Sequence, residues 1–168
     1  MSVVGIDISE KRVACSFVSE DGATLYANGF WHTAPDQWAL RSVIIDDFLD
    51  NCTRSRVGLE DSLTDVYVED AYIGVNRRGS INHAKVVGCA LGAVALYSNY
   101  VLASTILPAV WRSKCGIKGR GKQPIMDWAV DKYGEMDNQD LADSACIAYA
   151  GASIHMDVVN KLREGGVL

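Results

Sequence analysis

The 168-residue sequence lacks the cysteine and leader patterns of secreted proteins. Its five cysteines are odd in number and widely spaced, and no two of them form a CxxC pair. This pattern argues against a disulfide framework and against a zinc site, and it is typical of reduced thiols in a cytosolic protein. No basic leader precedes the first apolar run, so we expect no signal peptide and a cytoplasmic location.

Long uninterrupted apolar runs are also missing. Residues 86–111 carry no charge, but polar side chains interrupt this segment at Ser98 and again at Ser104. Its purely apolar part, residues 86–97, has 12 residues, whereas a membrane-spanning helix needs about 20. We therefore predict a buried helix followed by a buried strand, and no membrane partner.

Acidic residues are absent from one third of the chain. The whole chain has 21 acidic and 16 basic residues, but residues 71–126 contain no Asp or Glu and carry a charge of +8, which leaves −13 for the remainder. We interpret this segment as a basic surface for a polyanion, with chance clustering of solvated side chains as the alternative. Its basic residues are Arg77, Arg78, Lys85, Arg112, Lys114, Lys118, Arg120 and Lys122.

The rest of the composition, 49% apolar and 22% charged, is that of an ordinary globular domain, and the length suits one domain over residues 1–168. We found no repeat, low-complexity segment or linker. Apolar periodicity and turn signals predict an α/β domain with a mixed five-stranded sheet flanked by helices. The predicted strands are 2–8, 12–19, 24–31, 66–69 and 100–104, and the predicted helices are 35–51, 80–98, 108–114, 123–133 and 140–153, with Pro35 opening the first helix and Ser80 capping the second.

Four carboxylates follow a pattern that predicts a metal centre. Asp7 and Glu69 each lie at the end of a predicted buried strand, and such strand ends meet at one edge of an α/β sheet. Asp140 and Asp143 are three residues apart at the start of a helix, so they share one face. Hard oxygen ligands of this kind suit Mg²⁺ or Mn²⁺, and two such ions are a known device for phosphodiester hydrolysis. The alternatives are that Asp140 is a helix N-cap and that Asp7 is a turn residue.

These segments resemble one family in both order and motif. Gly5-Ile6-Asp7, Val68-Glu69 and the run from Asp140 to Ala145 (DLADSA) are similar to the metal-binding motifs of the RuvC-type Holliday junction resolvases, and more closely of their compact bacteriophage-type members. The resemblance covers about residues 2–152 and implies an RNase H-like fold. It implies that Asp7, Glu69, Asp140 and Asp143 bind two catalytic Mg²⁺ ions, which Mn²⁺ can replace. It also places Lys122 near the scissile phosphate.

The same resemblance implies a mode of DNA binding. Tyr72 corresponds to an aromatic that stacks on bases near the junction centre, although packing of Tyr72 into the core is the alternative. Gly88 corresponds to a glycine in the family's long helix, which forms the dimer interface. The remaining predicted DNA contacts are Asn76, Arg77 and Arg78 on the backbone, Arg112 and Lys114 beside Trp111, and a clamp made by Lys118, Arg120 and Lys122.

The sequence therefore predicts a homodimeric, Mg²⁺-dependent endodeoxyribonuclease that resolves four-way or other branched DNA by paired symmetric nicks, in a bacterial cell or a phage-infected host. An RNA-processing or RNA–DNA hybrid nuclease on the same fold is one alternative. A non-catalytic module that binds branched DNA is another. An actin-like sugar kinase or ATPase domain also opens with a Gly-Ile-Asp strand, but 168 residues leave no room for its second lobe.

Overall fold

The computed structural model describes residues 2–54, 63–70, 77–97, 101–119 and 121–166. Within these residues the chain forms five strands and five helices. The elements in chain order are β1 (Ser2–Ile8), β2 (Arg12–Ser19), β3 (Leu25–His32), α1 (Trp38–Arg54), β4 (Leu63–Glu69), α2 (Arg77–Tyr97), β5 (Leu102–Ile106), α3 (Pro108–Lys114), α4 (Gln123–Tyr133) and α5 (Gln139–Glu164).

The strands form one mixed sheet in the order β3-β2-β1-β4-β5, which confirms the predicted architecture. β1, β2 and β3 make an antiparallel meander, and the β2–β3 turn contains Gly22 with a φ of 68°. β4 pairs in parallel with β1, and β5 pairs in parallel with β4. Because Ile6 is the register partner of Val68, the parallel ends of β1 and β4 bring Asp7 and Glu69 to the same edge.

Helices cover both faces of the sheet. α1 and α2 pack on one face around a core that includes Val4, Ile6 and Val68, whereas α3, α4 and α5 share a second core on the other face. α5 lies very close to β1, because a Cβ atom at Gly5 would overlap backbone atoms of Ala148 and Ser144. This close packing fixes the start of α5 above the end of β1.

The structure corrects several predicted helix starts. α1 begins at Trp38 and not at Pro35, because the residues after Ala34 form a turn in which the Gln37 N–H donates to the Ala34 carbonyl. α2 begins at Arg77, so Ser80 lies inside the helix and does not cap it. α5 is capped by Asn138, whose side chain accepts from the backbone N–H of Leu141.

Smaller differences concern the ends of elements. β4 starts at Leu63, three residues before its predicted start at residue 66. β5 runs from Leu102 to Ile106, so it starts two residues after its predicted start at residue 100. α5 continues to Glu164, eleven residues beyond its predicted end, and still buries Val159. α3 and α4 have the predicted bounds, since each carries a proline in its first turn that fixes its start.

α2 has two different sides. By length and composition alone its segment Arg78–Tyr97 is apolar enough to cross a membrane, and 28% of its most apolar stretch is buried in the domain. Val86, Ala90 and Val94 pack into the core beneath the sheet. On the outer side, Gly88 and Gly92 have open space around them, since a Cβ atom at either would meet nothing within 4 Å.

Candidate functional site

Three of the four predicted metal ligands converge at the edge of the sheet. Asp7 lies at the end of central strand β1, and Asp140 and Asp143 lie in the first turns of α5, which crosses that strand. One carboxylate oxygen from each of the three lies within 4.8 Å of the others, and all three side chains are partly buried. Because Asn138 is the cap of α5, the interpretation of Asp140 as a simple N-cap is wrong.

Glu69 lies beside this group at the end of β4. Its negative charge is one of the causes that raise the pKa of Asp7, so the two strand ends lie close together. The indole N–H of Trp111, which is almost completely buried at 1% exposure, donates to Glu69 Oε1 over 3.1 Å. Trp111 therefore fixes the orientation of Glu69 at the side of the three-aspartate group.

Crowding of these carboxylates disfavours their ionised forms. Burial, together with the negative charges of Glu69, Asp143 and Asp140, raises the pKa of Asp7 well above its ordinary value. Burial also raises the pKa of Asp143 from 3.8 to about 6, an effect that Glu69 and Asp140 increase and that hydrogen bonding to Gln139 opposes. Hard oxygen donors with too little positive charge around them fit a divalent cation such as Mg²⁺ or Mn²⁺.

Two further donors contact the aspartates. Arg12, at the start of β2, donates from Nη1 to Asp140 Oδ2 over 2.8 Å. Gln139 donates from Nε2 to Asp143 Oδ1 over 2.9 Å. Sequence analysis did not predict that Arg12, Gln139 or Trp111 contacts the acidic residues. The only local signal was the four-residue spacing of Gln139 and Asp143, which puts two side chains on one helix face.

The predicted DNA contacts that the structure describes lie in different surroundings. Arg112 stacks over the Trp111 ring at 5.0 Å from its centroid, which places its positive charge near the acidic group. Lys114 forms a 2.6 Å ion pair with Asp157 on the outer part of α5. The structure therefore connects Arg112 with the acidic site and directs Lys114 away from it.

Other predicted contacts are exposed or lie outside the described residues. Arg78 is exposed in the first turn of α2, and Lys118 is exposed after α3. Lys122 is exposed at the N-cap position of α4, and within the described part of the chain no ion pair joins it to the acids. Tyr72, Asn76 and Arg120 lie outside the described residues, and only the backbone of Arg77 is described.

Comparison with solved structures identifies the fold. RuvC from Thermus thermophilus in complex with a Holliday junction substrate superimposes with a TM-score of 0.70 at 17% sequence identity, covering 93% of this chain and 96% of that one. A second structure of Thermus thermophilus RuvC gives 0.70 at 18% identity, covering 94% and 97%. Neither a protein-family model nor a curated protein sequence matches the chain. The chain thus has the RNase H-like fold of RuvC over nearly its whole length.

Proposed function

We propose that this protein is a metal-dependent, structure-selective endodeoxyribonuclease that resolves four-way or other branched DNA by paired symmetric nicks. One observation carries the proposal: Asp7, Asp140 and Asp143 bring their carboxylate oxygens within 4.8 Å of one another at the edge of a RuvC-like sheet. A purely structural role does not explain why the three acids lie together, because three like charges in a partly buried site destabilise the fold.

The proposed cofactor is Mg²⁺, two ions per site, with Mn²⁺ as a substitute. Asp7, Asp140 and Asp143 would hold the ions, with Glu69 completing the ligand set from the side that Trp111 fixes. When bound, such ions activate water and stabilise the leaving oxygen of a phosphodiester. The chain itself contributes a fixed ligand geometry, since α5 packs closely on β1 at Gly5 and β4 pairs with β1 in the sheet.

The proposed substrate is DNA with an exposed branch point. Arg112 lies next to the acidic group, and the exposed cations Arg78, Lys118 and Lys122 come from the segment that has no acidic residues. Phosphate contacts from such residues supply most non-specific affinity for DNA. Thermus thermophilus RuvC, whose fold this chain shares, has been solved with a Holliday junction substrate. We assign base stacking to Tyr72 and backbone contacts to Asn76 and Arg77 on the resemblance alone, and we keep Arg120 in the proposed clamp with Lys118 and Lys122.

The proposed active form is a homodimer built on α2. The outer side of α2 offers Gly88 and Gly92, which leave space for another backbone, and Leu96, which is 90% exposed. A cavity of about 350 Å³ lies beside Leu96, between α1 and α2. A twofold dimer carries two active sites and so matches a substrate with near-twofold symmetry. Sedimentation of a monomer at working concentration would contradict this assembly.

The decisive experiment is cleavage of a labelled, immobile four-way junction in Mg²⁺, Mn²⁺ or EDTA. We expect symmetric nicks with either cation and none in EDTA. Asp7→Asn should abolish nicking and retain junction binding, because it removes a ligand without changing the DNA-binding cations. Asp131→Asn, at an exposed acid on α4, is the matched control and should cleave like the wild type.

Other outcomes identify the alternatives. Junction binding that EDTA does not affect, with no nicking at any Mn²⁺ concentration, would support a non-catalytic binding module. Cleavage of an RNA–DNA hybrid or of structured RNA, with an intact junction, would support an RNA-processing nuclease. Unchanged junction cleavage by Asp7→Asn would refute the assignment of the metal centre.

A further inference from the structure

Arg12 contacts the acidic group in a way that the metal chemistry does not require. Its guanidinium forms a 2.8 Å ion pair with Asp140 Oδ2, although the two residues are 128 positions apart in the sequence. The Arg12 side chain is 46% exposed, whereas that of Asp140 is only 15% exposed. A cation that is about half exposed therefore contacts a mostly buried carboxylate that is also a predicted metal ligand.

The surroundings of Arg12 give its side chain a second place to bind. A cavity of about 310 Å³ opens between the β1–β2 turn and the beginning of α2. This volume is about ten times the volume that one water occupies in the liquid, so it has room for a phosphate group. Two cations, Lys11 and Arg12, and one acid, Glu10, line this cavity. The lining residues are Ser9, Glu10, Lys11, Arg12, Gly79 and His83.

The backbone beneath Arg12 is held in place. Arg41 is completely buried and donates to the carbonyl of Ser9 over 3.3 Å, to that of Ala34 over 2.8 Å and also to that of Glu10. These bonds tie the β1–β2 turn to the chain before α1. A change of partner by Arg12 is therefore a side-chain movement over a fixed turn.

We propose that Arg12 is an exchangeable counterion. Without a divalent cation it neutralises Asp140; when a cation binds the aspartates, Arg12 turns into the cavity and contacts a backbone phosphate of the DNA. The physical reason is competition for Asp140. A guanidinium and a divalent cation bind the same carboxylate oxygens, and the two positive charges repel each other when both are close to that carboxylate. The phosphate half of this inference rests on the proposed function, whereas the competition half concerns the protein alone.

Competition is tested without DNA, by titrating the protein with Mn²⁺ in a calorimeter. Arg12→Ala should bind Mn²⁺ about two- to fivefold more tightly than the wild type, the range expected for loss of one exposed ion pair. Lys11→Ala is the matched control, since it removes the same charge from the same turn and should change the affinity by much less. An equal increase in Mn²⁺ affinity in both variants would show that only the net charge matters, and it would overturn the inference. Unchanged or weaker Mn²⁺ binding by Arg12→Ala would overturn it as well.

The change of partner is tested by the salt dependence of binding to a four-way junction, in Ca²⁺ and in EDTA. In Ca²⁺, Arg12→Ala should reduce the slope of log affinity against log salt by about 0.9, the value for one lost phosphate contact. In EDTA the slope should not change, because Asp140 holds Arg12 there. The same reduction in both conditions, or none in Ca²⁺, would overturn the phosphate contact. A wild type that does not bind the junction would contradict the proposed function, and the Mn²⁺ titration would still decide whether Arg12 competes.

Discussion

Asp143→Asn should stabilise the cation-free protein at neutral pH, although it removes a predicted catalytic ligand. The pKa of Asp143 rises from 3.8 to about 6 in the folded chain, chiefly through burial. At 1.36 kcal/mol per pKa unit, ionisation of this group costs the folded state about 3 kcal/mol above pH 6. Asp143 is partly exposed, so solvent screening reduces the expected gain to about 2 kcal/mol. Asparagine keeps an oxygen that can accept the hydrogen bond from Gln139.

The sign of the effect follows from proton binding. Below pH 3.8 the carboxyl is protonated in both the folded and the unfolded chain, so variant and wild type should be equally stable with respect to this group. Between pH 3.8 and about 6 the unfolded chain releases its proton first, and the wild type loses stability relative to the variant. Above that range the difference should be constant.

The assay is urea unfolding in EDTA at pH 4 and pH 8, followed by tryptophan fluorescence. Asp157→Asn is the control on the same helix. Asp157 is exposed and its ion pair with Lys114 lowers its pKa, so its loss should give no gain at pH 8. Saturating Mg²⁺ should then reverse the order, because the wild type binds the cation better and gains more stability. Equal stability of Asp143→Asn and wild type at pH 8, or a difference that does not depend on pH, would refute the electrostatic reasoning.

Two further predictions concern the frame of the site. Gly5→Ala should destabilise the fold by about 1–3 kcal/mol in urea unfolding, because the new methyl group overlaps the backbone of α5. Trp111→Phe should weaken Mn²⁺ binding, because Glu69 loses the hydrogen bond that orients its carboxylate. Trp128→Phe, on helix α4, is the control and should leave Mn²⁺ binding unchanged. Equal weakening of Mn²⁺ binding in the two variants would show that Trp111 acts through packing alone.

Much of the acidic site was predictable because each signal is local. β1 is a continuous apolar run that ends at a carboxylate, and burial on both faces of a central strand requires such a run. The spacing of Asp140 and Asp143 places them on one helix face wherever that helix packs. α3 and α4 had predictable bounds because proline starts a helix but cannot continue one.

The local signals failed where several residues compete for one role. Asn138 and Asp140 are both good helix caps, and only the backbone conformation shows that Asn138 takes that position. Ser80 is also a residue type that favours the N-cap position, but α2 starts three residues before it, at Arg77. Such choices depend on small local energies, which packing of the whole element overrides.

The sequence by itself determined which residues carry negative charge and on which elements they lie. Only the tertiary structure decided what surrounds them. The partners of Asp140 and Glu69 are Arg12 and Trp111, which are 128 and 42 positions away along the chain. No periodicity predicts these contacts, because they depend on how closely α5 and α3 pack against the sheet. Gly5 lets α5 approach β1, and that approach brings Asp140 within reach of both Asp7 and Arg12.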